Sequence, residues 1–416
     1  MFCEVTTLDN GISVISERID TVRSVAIGVW FAVGSRDESA AESGMSHFLE
    51  HMMFKGTDTR SAADISQAFD GLGAELNAFT SKEYTCYYSR VIDRHLPTAI
   101  ELLSDMVSNS LLADDACASE REVVIEEIAR MEDTPDDRIH ERFAKALWPG
   151  HPLGASILGS RESVSTFGNG STAAFKDSHY TTGNCVVAAA GNVEHSQLVE
   201  LIGKHLTLRS GSRTVRDSGF QSSPEPLSVL TRDTEQSHIC YGVTALNAQH
   251  EDRFALSVAD TIFGRGMSSR LFMEIREKLG LAYAVYSFVS LFQDTGQFAV
   301  YAGTRPSNTE QVVATIRNEI DRLCDSGVTA EELDRAKKAM TGSLVLGLES
   351  TPNRMTRLGK GLITNAELLS IDELVDRIES VTQADVIRVA RESFSGPRSL
   401  AVIGPYAQDD IAHLIG

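Results

Sequence analysis

Residues 44–57 read GMSHFLEHMMFKGT and bring two histidines and a glutamate together within one short stretch. In an α-helix, residues four apart lie on the same face, so the imidazoles of His47 and His51 can reach one ion. Glu50, three residues after His47, borders that face. Because imidazole and carboxylate groups are common zinc ligands, this helix predicts a metal site. The alternative is a helix with two histidines that only pack or face solvent.

The H-x-x-E-H order reverses the H-E-x-x-H pattern of common zinc proteases, and it calls for a third ligand. The predicted helix 118–131 carries four glutamates. Glu120 and Glu127 fall on its apolar stripe, where a carboxylate is costly unless it is paired or bound to metal. Glu122 and Glu126 point to the opposite face, which we interpret as solvated. Either Glu120 or Glu127 is therefore the expected ligand, and the other is its supporting partner.

The chain of 416 residues is long enough for two to three domains. Residues 211–226 are rich in Ser, Gly and Pro and predict a linker. This linker divides the chain into domains 1–210 and 227–416. Gly-Met-Ser at 44–46 recurs at 266–268, and two further short matches follow at similar offsets. The two halves therefore predict an internal duplication, with one topology used twice.

Hydrophobic patterning predicts a hairpin around Asn10–Gly11, followed by a mixed series of strands and helices. The predicted strands are 5–8, 12–15, 25–33, 74–80 and 84–91, and the predicted helices are 45–54, 62–72, 96–112 and 118–131. The order is not a strict alternation of strand and helix. We therefore predict an α+β fold in which each domain is a largely antiparallel sheet packed with helices.

The charge balance excludes some classes of partner. Lys and Arg number 38 against 58 Asp and Glu, for a formal net charge of -20. Such a surface repels phosphate backbones and anionic membranes, so no nucleic-acid or membrane partner is expected. The N-terminus lacks the basic and apolar regions of a signal peptide, and a cytoplasmic location is expected.

Further segments along most of the chain, including the residues on both sides of the motif, carry a resemblance to a known family. The sequence resembles the pitrilysin/insulinase family of zinc metallopeptidases, in the short two-domain branch that includes mitochondrial processing peptidase and its bacterial relatives. The segments that carry the resemblance are 8–11, 34–38, 44–57, 76–83, 124–128 and 269–286. The resemblance implies two α+β domains of like topology, which agrees with the duplication.

The resemblance also implies a role for each residue of the predicted metal site. His47, His51 and Glu127 match the three ligands of one Zn²⁺ per chain. Glu50 matches the general base that activates water, and Glu120 matches the glutamate that supports the ligands. In the second domain, Ser269 and Met273 align with the two histidines, so that domain is expected to lack a metal.

Substrate contacts are implied for both domains. In the family, the strand that contains Asn77, Ala78 and Phe79 is an edge strand that binds peptide substrate in an extended form. Arg276 and Tyr283 match a substrate-contacting pair that is also expected to take part in catalysis. From their local pattern alone, the simpler interpretations are a helix-surface arginine and a core tyrosine.

The resemblance implies a zinc metalloendopeptidase that hydrolyses peptides, or unfolded and presequence-like segments, inside an enclosed chamber. Because family chambers are built from four such domains, a homodimer is expected. Arg276 and Tyr283 of one subunit would then complete the zinc site of the other. The alternative is a non-catalytic or partner-dependent subunit of a processing-peptidase-like heterodimer.

Overall fold

The computed structural model describes residues 2–216 and 222–415. Residues 217–221, in the middle of the predicted linker, lie outside the described residues, so the linker stays a prediction. The chain forms two compact units, each assembled from three segments. The first unit comprises Met1–Arg130, Ala155–Asp217 and Leu346–Leu368, and the second comprises Met131–Gly154, Ser218–Val345 and Leu369–Gly416.

Strands and helices are mixed along the described chain. The strands are β1 (Glu4–Thr7), β2 (Ser13–Arg18), β3 (Ser24–Phe31), β4 (Glu75–Thr80), β5 (Thr85–Ile92), β6 (Cys185–Gly191), β7 (Leu227–Thr231), β8 (Ser237–Ala245), β9 (Ala282–Leu291), β10 (Gly296–Thr304) and β11 (Arg398–Gly404). The longer helices of the first half are α1 (Met45–Met52), α2 (Ala62–Gly71), α3 (Leu96–Asn109), α4 (Asp114–Asp133) and α5 (Pro135–Leu147), followed by α6 (Arg161–Val164), α7 (Asn169–His179) and α8 (His195–His205).

The second half continues the same mixture. Its helices are α9 (Arg253–Phe263), α10 (Thr309–Ser326), α11 (Ala330–Gly347), α12 (Thr351–Ile363), α13 (Ile371–Ser380), α14 (Gln383–Phe394) and α15 (Gln408–Ile411), with a π-helical segment at Phe272–Lys278. Each strand and helix predicted from the sequence is present, with ends that differ by a few residues. The turn of the predicted hairpin joins β1 to β2, which pair antiparallel.

The two sheets share one topology over five strands, and β1 is an additional strand of the first sheet. In the first unit the strand order is β1-β2-β6-β3-β5-β4, and in the second it is β7-β11-β8-β10-β9. The pairs β2–β6 and β7–β11 are parallel, and the other pairs are antiparallel. The predicted α+β class and the like topology of two largely antiparallel sheets are confirmed.

One face of each sheet packs on helices of its own half. In the first unit, α1 and α3 bury apolar side chains such as Phe48 and Leu103 against strand residues such as Ile27. In the second unit, α9, α10 and α14 make the equivalent core, in which Phe263 of α9 packs edge-on against Phe298 of β10. These cores leave the opposite face of each sheet to be covered.

The opposite faces are covered by helices from the other half of the sequence. Helix α12 lies in the first unit, where Met355 and Leu358 pack on Trp30. Helix α5 lies in the second unit, where Phe143 packs in a cluster with Tyr301. The compact units thus differ from the predicted sequence halves in these segments. Amphipathic periodicity shows that a helix must bury one face, but it does not specify which of two similar sheets receives it.

Candidate metal centre

Helix α1 has a sharply defined beginning. Its N-cap, Gly44, has φ of 94°, a left-handed conformation that suits glycine, and an added Cβ would lie 2.5 Å from the carbonyl oxygen of Leu158. The buried carboxylate of Glu38 accepts hydrogen bonds from the backbone N–H groups of Gly44 and Ser46, each at 2.7 Å. A carboxylate at this end also matches the helix dipole. The cap therefore fixes the helix that carries the motif.

Helix α4 presents its glutamates as the periodicity predicts, with one difference. Glu122 and Glu126 are exposed, and Glu120 is only 5% exposed. The side chain of Glu127 is 41% exposed, so it borders the buried stripe instead of lying within it. Val124, between the two candidate ligands, is fully buried and anchors this face of α4.

His47, His51 and Glu127 come together in the first unit. The Nε2 atoms of both histidines lie 3.7 Å from Oε2 of Glu127. One ligand atom from each of the three residues lies within 4.8 Å of the other two. In a tetrahedral zinc site, ligand atoms at ordinary bond lengths are about 3.3 Å apart. The donor set and spacing therefore fit a metal ion, and among the described residues no other group of His, Cys, Asp and Glu does so.

The protonation state of His47 also suits a ligand. Burial and, to a smaller extent, the nearby imidazole of His51 lower the pKa of His47 to about 4. Its ring is therefore neutral at physiological pH, as metal binding requires. The Nδ1 atom of His47 is buried and has no hydrogen-bond partner among the described residues.

Glu120 supports the other histidine. Its Oε2 atom lies 3.1 Å from Nδ1 of His51, and its Oε1 atom lies 2.5 Å from Nζ of Lys55. A carboxylate on Nδ1 leaves Nε2 of His51 free to bind a metal and orients the ring. The structure thus separates the two glutamates that helix periodicity could not distinguish: Glu127 faces both Nε2 atoms, and Glu120 faces the far side of His51.

Glu50 lies beside the three ligands, and its carboxylate is held by Thr80. The Thr80 hydroxyl donates to Oε2 of Glu50 at 2.5 Å. Burial raises the pKa of Glu50 above its usual value, while the hydrogen bond from Thr80 acts in the opposite direction. A half-buried carboxylate with a raised pKa next to a metal site is suited to take up and release a proton.

Strand β4 is an edge strand of its sheet and pairs only with β5 among the described strands. Asn77 is exposed, and Ala78 is partly buried against the main core. Phe79 packs edge-on against Trp30, with ring centroids 5.5 Å apart. The outer edge of β4 therefore presents backbone groups that another strand can pair with.

Arg276 and Tyr283 lie together in the second unit. The guanidinium of Arg276 is 4.6 Å from the ring centre of Tyr283 and 4.7 Å from that of Phe272. Tyr283 is 79% exposed, which rules out the simpler interpretation of a core tyrosine. Arg276 belongs to the π-helical segment, a conformation that is frequent at functional sites. The segment presents an arginine between two aromatic rings on the surface of the unit.

The sequence analysis assigned no role to three residues that contact this site. Lys55 is four residues after His51 and so lies on the same side of the chain near the end of α1, a spacing that could have identified it. Thr80 and Glu38 lie in segments that carry the resemblance; the partner of Thr80 is 30 residues away, and the partners of Glu38 are six and eight residues away. Their contacts follow only from the tertiary structure.

Comparison with known proteins agrees with this geometry. Residues 13–161 match the family described as insulinase (peptidase family M16), and residues 171–340 match the domain described as the peptidase M16 inactive domain. None of the helices in the described parts of the chain has the length and apolar character needed to span a bilayer.

Relatives that match along nearly the whole chain are named zinc proteases. An uncharacterized zinc protease of Streptomyces coelicolor is 43% identical over 98% of this chain and 91% of that protein. An uncharacterized zinc protease of Bacillus subtilis is 39% identical over 96% of this chain and 97% of that protein.

Solved structures show the same fold. A protease from Helicobacter pylori superposes with a TM-score of 0.90 at 25% identity, covering 96% of this chain and 99% of that chain. A peptidase M16 inactive domain from Pseudomonas fluorescens gives 0.92 at 21% identity over 98% of each chain, a likeness of fold. With both domain matches in order and relatives along nearly its full length, the chain belongs to the insulinase family of peptidases, peptidase family M16.

Proposed function

We propose that the protein is a zinc metalloendopeptidase that binds one Zn²⁺ per chain and hydrolyses peptides in an extended conformation. The observation that carries this proposal is the convergence of three ligand atoms, together with Glu50, which directly precedes His51 and interacts electrostatically with His51 and Glu127. His47, His51 and Glu127 would hold the ion. When bound, zinc supplies the Lewis acidity that acidifies a water molecule and polarises a peptide carbonyl.

The chain's own residues would move the proton and hold the ligands in place. Glu50 would accept the proton of the attacking water and then deliver it to the nitrogen of the departing amine. Burial raises the pKa of Glu50 above the ordinary glutamate value, which favours a carboxyl group that both accepts and releases a proton. Glu120 would keep the ring of His51 in its ligating orientation through the bond to Nδ1.

Substrate would bind by strand addition to β4. The free edge of this strand offers N–H and C=O groups to a peptide backbone, which favours recognition of main chain over side chains. Asn77 is exposed on β4, and its Oδ1 atom accepts a hydrogen bond from the backbone N–H of Ala78 at 2.8 Å, so its amide N–H groups would be the donors to a peptide carbonyl. Broad sequence specificity, including unfolded and presequence-like peptides, follows from this mode of binding.

Arg276 and Tyr283 are proposed to contact the substrate from the second domain of a partner subunit in a homodimer. Their pairing on an exposed surface supports a binding role. Mixing a Glu50→Gln subunit with an Arg276→Ala subunit tests this arrangement. If sites are shared in freely exchanging dimers, about one quarter of the sites should regain activity, since half the dimers are mixed and each has one intact site. No recovery would refute shared sites.

The experiment that tests the function itself compares wild type with Glu50→Gln on internally quenched peptides of mixed length. Both proteins are loaded with zinc, and their zinc content is measured. Loss of a general base predicts a fall in kcat of about 100- to 10,000-fold at unchanged zinc content. A folded, zinc-loaded wild type that cleaves no peptide would refute the proposal and favour a partner-dependent subunit.

A further inference from the structure

The contact between Thr80 and Glu50 joins the edge strand to the candidate general base. Thr80 is the last residue of β4, and its hydroxyl donates to only one of the two carboxylate oxygens, Oε2 of Glu50. An ionised carboxylate has no hydrogen to donate, so the direction of this bond is fixed. The other oxygen, Oε1, is left for a water molecule.

Residues 34–38, here called the 34–38 segment, hold the helix side of this contact. Glu38 caps α1 through the N–H groups of Gly44 and Ser46. Because α1 is only eight residues long, a cap on its first turn constrains the whole helix. The position of Glu50 within the unit is therefore tied to the 34–38 segment.

The same segment holds the strand side. Arg36 Nη1 donates to Oε1 of Glu83 at 2.7 Å, and both side chains are 4% exposed. The backbone N–H of Arg36 also donates to the carbonyl of Lys82 at 2.8 Å. These bonds fix the turn that directly follows Thr80. Glu83 also lies 3.9 Å from Nη1 of Arg216. Separating the buried pair of Arg36 and Glu83 is strongly disfavoured, because each charge would lose compensation in a dry environment.

We propose that Thr80 is a positioning residue for the general base, and that the 34–38 segment holds Thr80 and Glu50 at the positions that their hydrogen bond requires. This inference rests on the proposed function. Without the hydroxyl, Glu50 is free to rotate about its side-chain torsions, and the fraction of molecules with Oε1 directed to water falls. Because Thr80 ends the strand proposed to bind peptide, the bond also couples the substrate's position to that of the base.

The test uses three zinc-loaded variants of the full chain. Thr80→Val removes the hydroxyl at nearly constant volume, and Thr80→Ser keeps it. Thr85→Val is the matched control, because Thr85 is the cross-strand partner of Thr80, is fully buried, and donates to the carbonyl of Val33 instead of Glu50. Zinc content, kcat and KM for one quenched peptide are measured for each, together with crystal structures of wild type and Thr80→Val.

For Thr80→Val we expect kcat to fall about 10- to 100-fold, the range that misplacement of a reacting group produces, with KM within about twofold. Thr80→Ser should recover most of kcat, and Thr85→Val should stay within about twofold of wild type. The crystal structure should show Glu50 in more than one conformer only in Thr80→Val.

Three results would overturn the inference. An active wild type with an unchanged kcat in Thr80→Val, or a Glu50 carboxylate that stays in one conformer without the hydroxyl, would show that Thr80 does not position the base. An equal loss in Thr80→Val and Thr85→Val would show only a general effect of losing a buried hydroxyl. An inactive, zinc-loaded wild type would instead refute the proposed function on which the inference rests.

Discussion

Replacing Glu120 should weaken metal binding without removing any metal ligand. Glu120 is 5% exposed and holds Nδ1 of His51 at 3.1 Å, whereas Nδ1 of His47 has no partner among the described residues. Among the described residues, the Glu120 carboxylate is thus the side chain that contacts the Nδ1 atom of a ligand histidine. Loss of such a partner typically lowers metal affinity 10- to 100-fold, which is about 1.4 to 2.7 kcal/mol.

Two substitutions of Glu120 should lower zinc affinity to different extents within this 10- to 100-fold range. Glu120→Gln keeps an acceptor oxygen for His51 but loses the negative charge, so we expect about a 10-fold loss of zinc affinity. Glu120→Ala removes the acceptor and leaves Lys55 without this partner, so we expect a loss near 100-fold. The control is Glu122→Gln, the same change at an exposed position of the same helix, with an expected effect under twofold.

The assay is competition for zinc against a chelator of known affinity, at fixed pH and ionic strength. Circular dichroism of the apoproteins checks that each variant is folded. Equal zinc affinity in Glu120→Gln, Glu120→Ala and Glu122→Gln would refute the reasoning, because it would show that the bond to His51 does not support the site.

Three further predictions concern packing, pH and metal. Gly359→Ala should destabilise the protein by about 1 to 3 kcal/mol in urea unfolding, since its Cβ would lie 2.3 Å from Trp30, whereas Gly342→Ala, with nothing within 4 Å, should stabilise by up to about 1 kcal/mol. Burial raises the pKa of Glu38 to about 7, so the stability that this group contributes is greatest at low pH and is lost as the pH rises through 7. The free energy of unfolding of wild type relative to Glu38→Gln should therefore fall by about 3 kcal/mol between pH 4.5 and 8. A difference that does not change with pH would contradict this prediction. Zinc at about 100 times its Kd should raise the free energy of unfolding of wild type by about 2.7 kcal/mol. An equal rise in His47→Ala would show that the stabilising zinc does not bind at His47.

Local patterns predicted the elements of the fold well. Strict spacing at His47 and His51 predicted α1, and the apolar stripe around Val124 predicted α4. The exchange of α5 and α12 was not predictable, because two sheets of the same topology present similar apolar faces to either helix. Only tertiary packing decides between them.

The candidate site was predictable to the extent that its residues lie on one helix. Glu120 and Glu127 are seven residues apart, which is nearly two full turns, so periodicity puts them on one face and cannot rank them. The structure distinguishes them, because Glu127 lies near the Nε2 atoms of both histidines and Glu120 lies near Nδ1 of His51. Thr80 depends on a contact across 30 positions of sequence, and no local pattern reports such a contact.

The measurement that tests metal-dependent hydrolysis at this site most directly is a zinc titration of the metal-free protein, followed by bound zinc and by peptide cleavage in the same samples. We predict that the cleavage rate rises in proportion to bound zinc and stops rising at one zinc per chain. Cleavage by the metal-free protein, or binding of one zinc with no cleavage at any point of the titration, would contradict the proposed function.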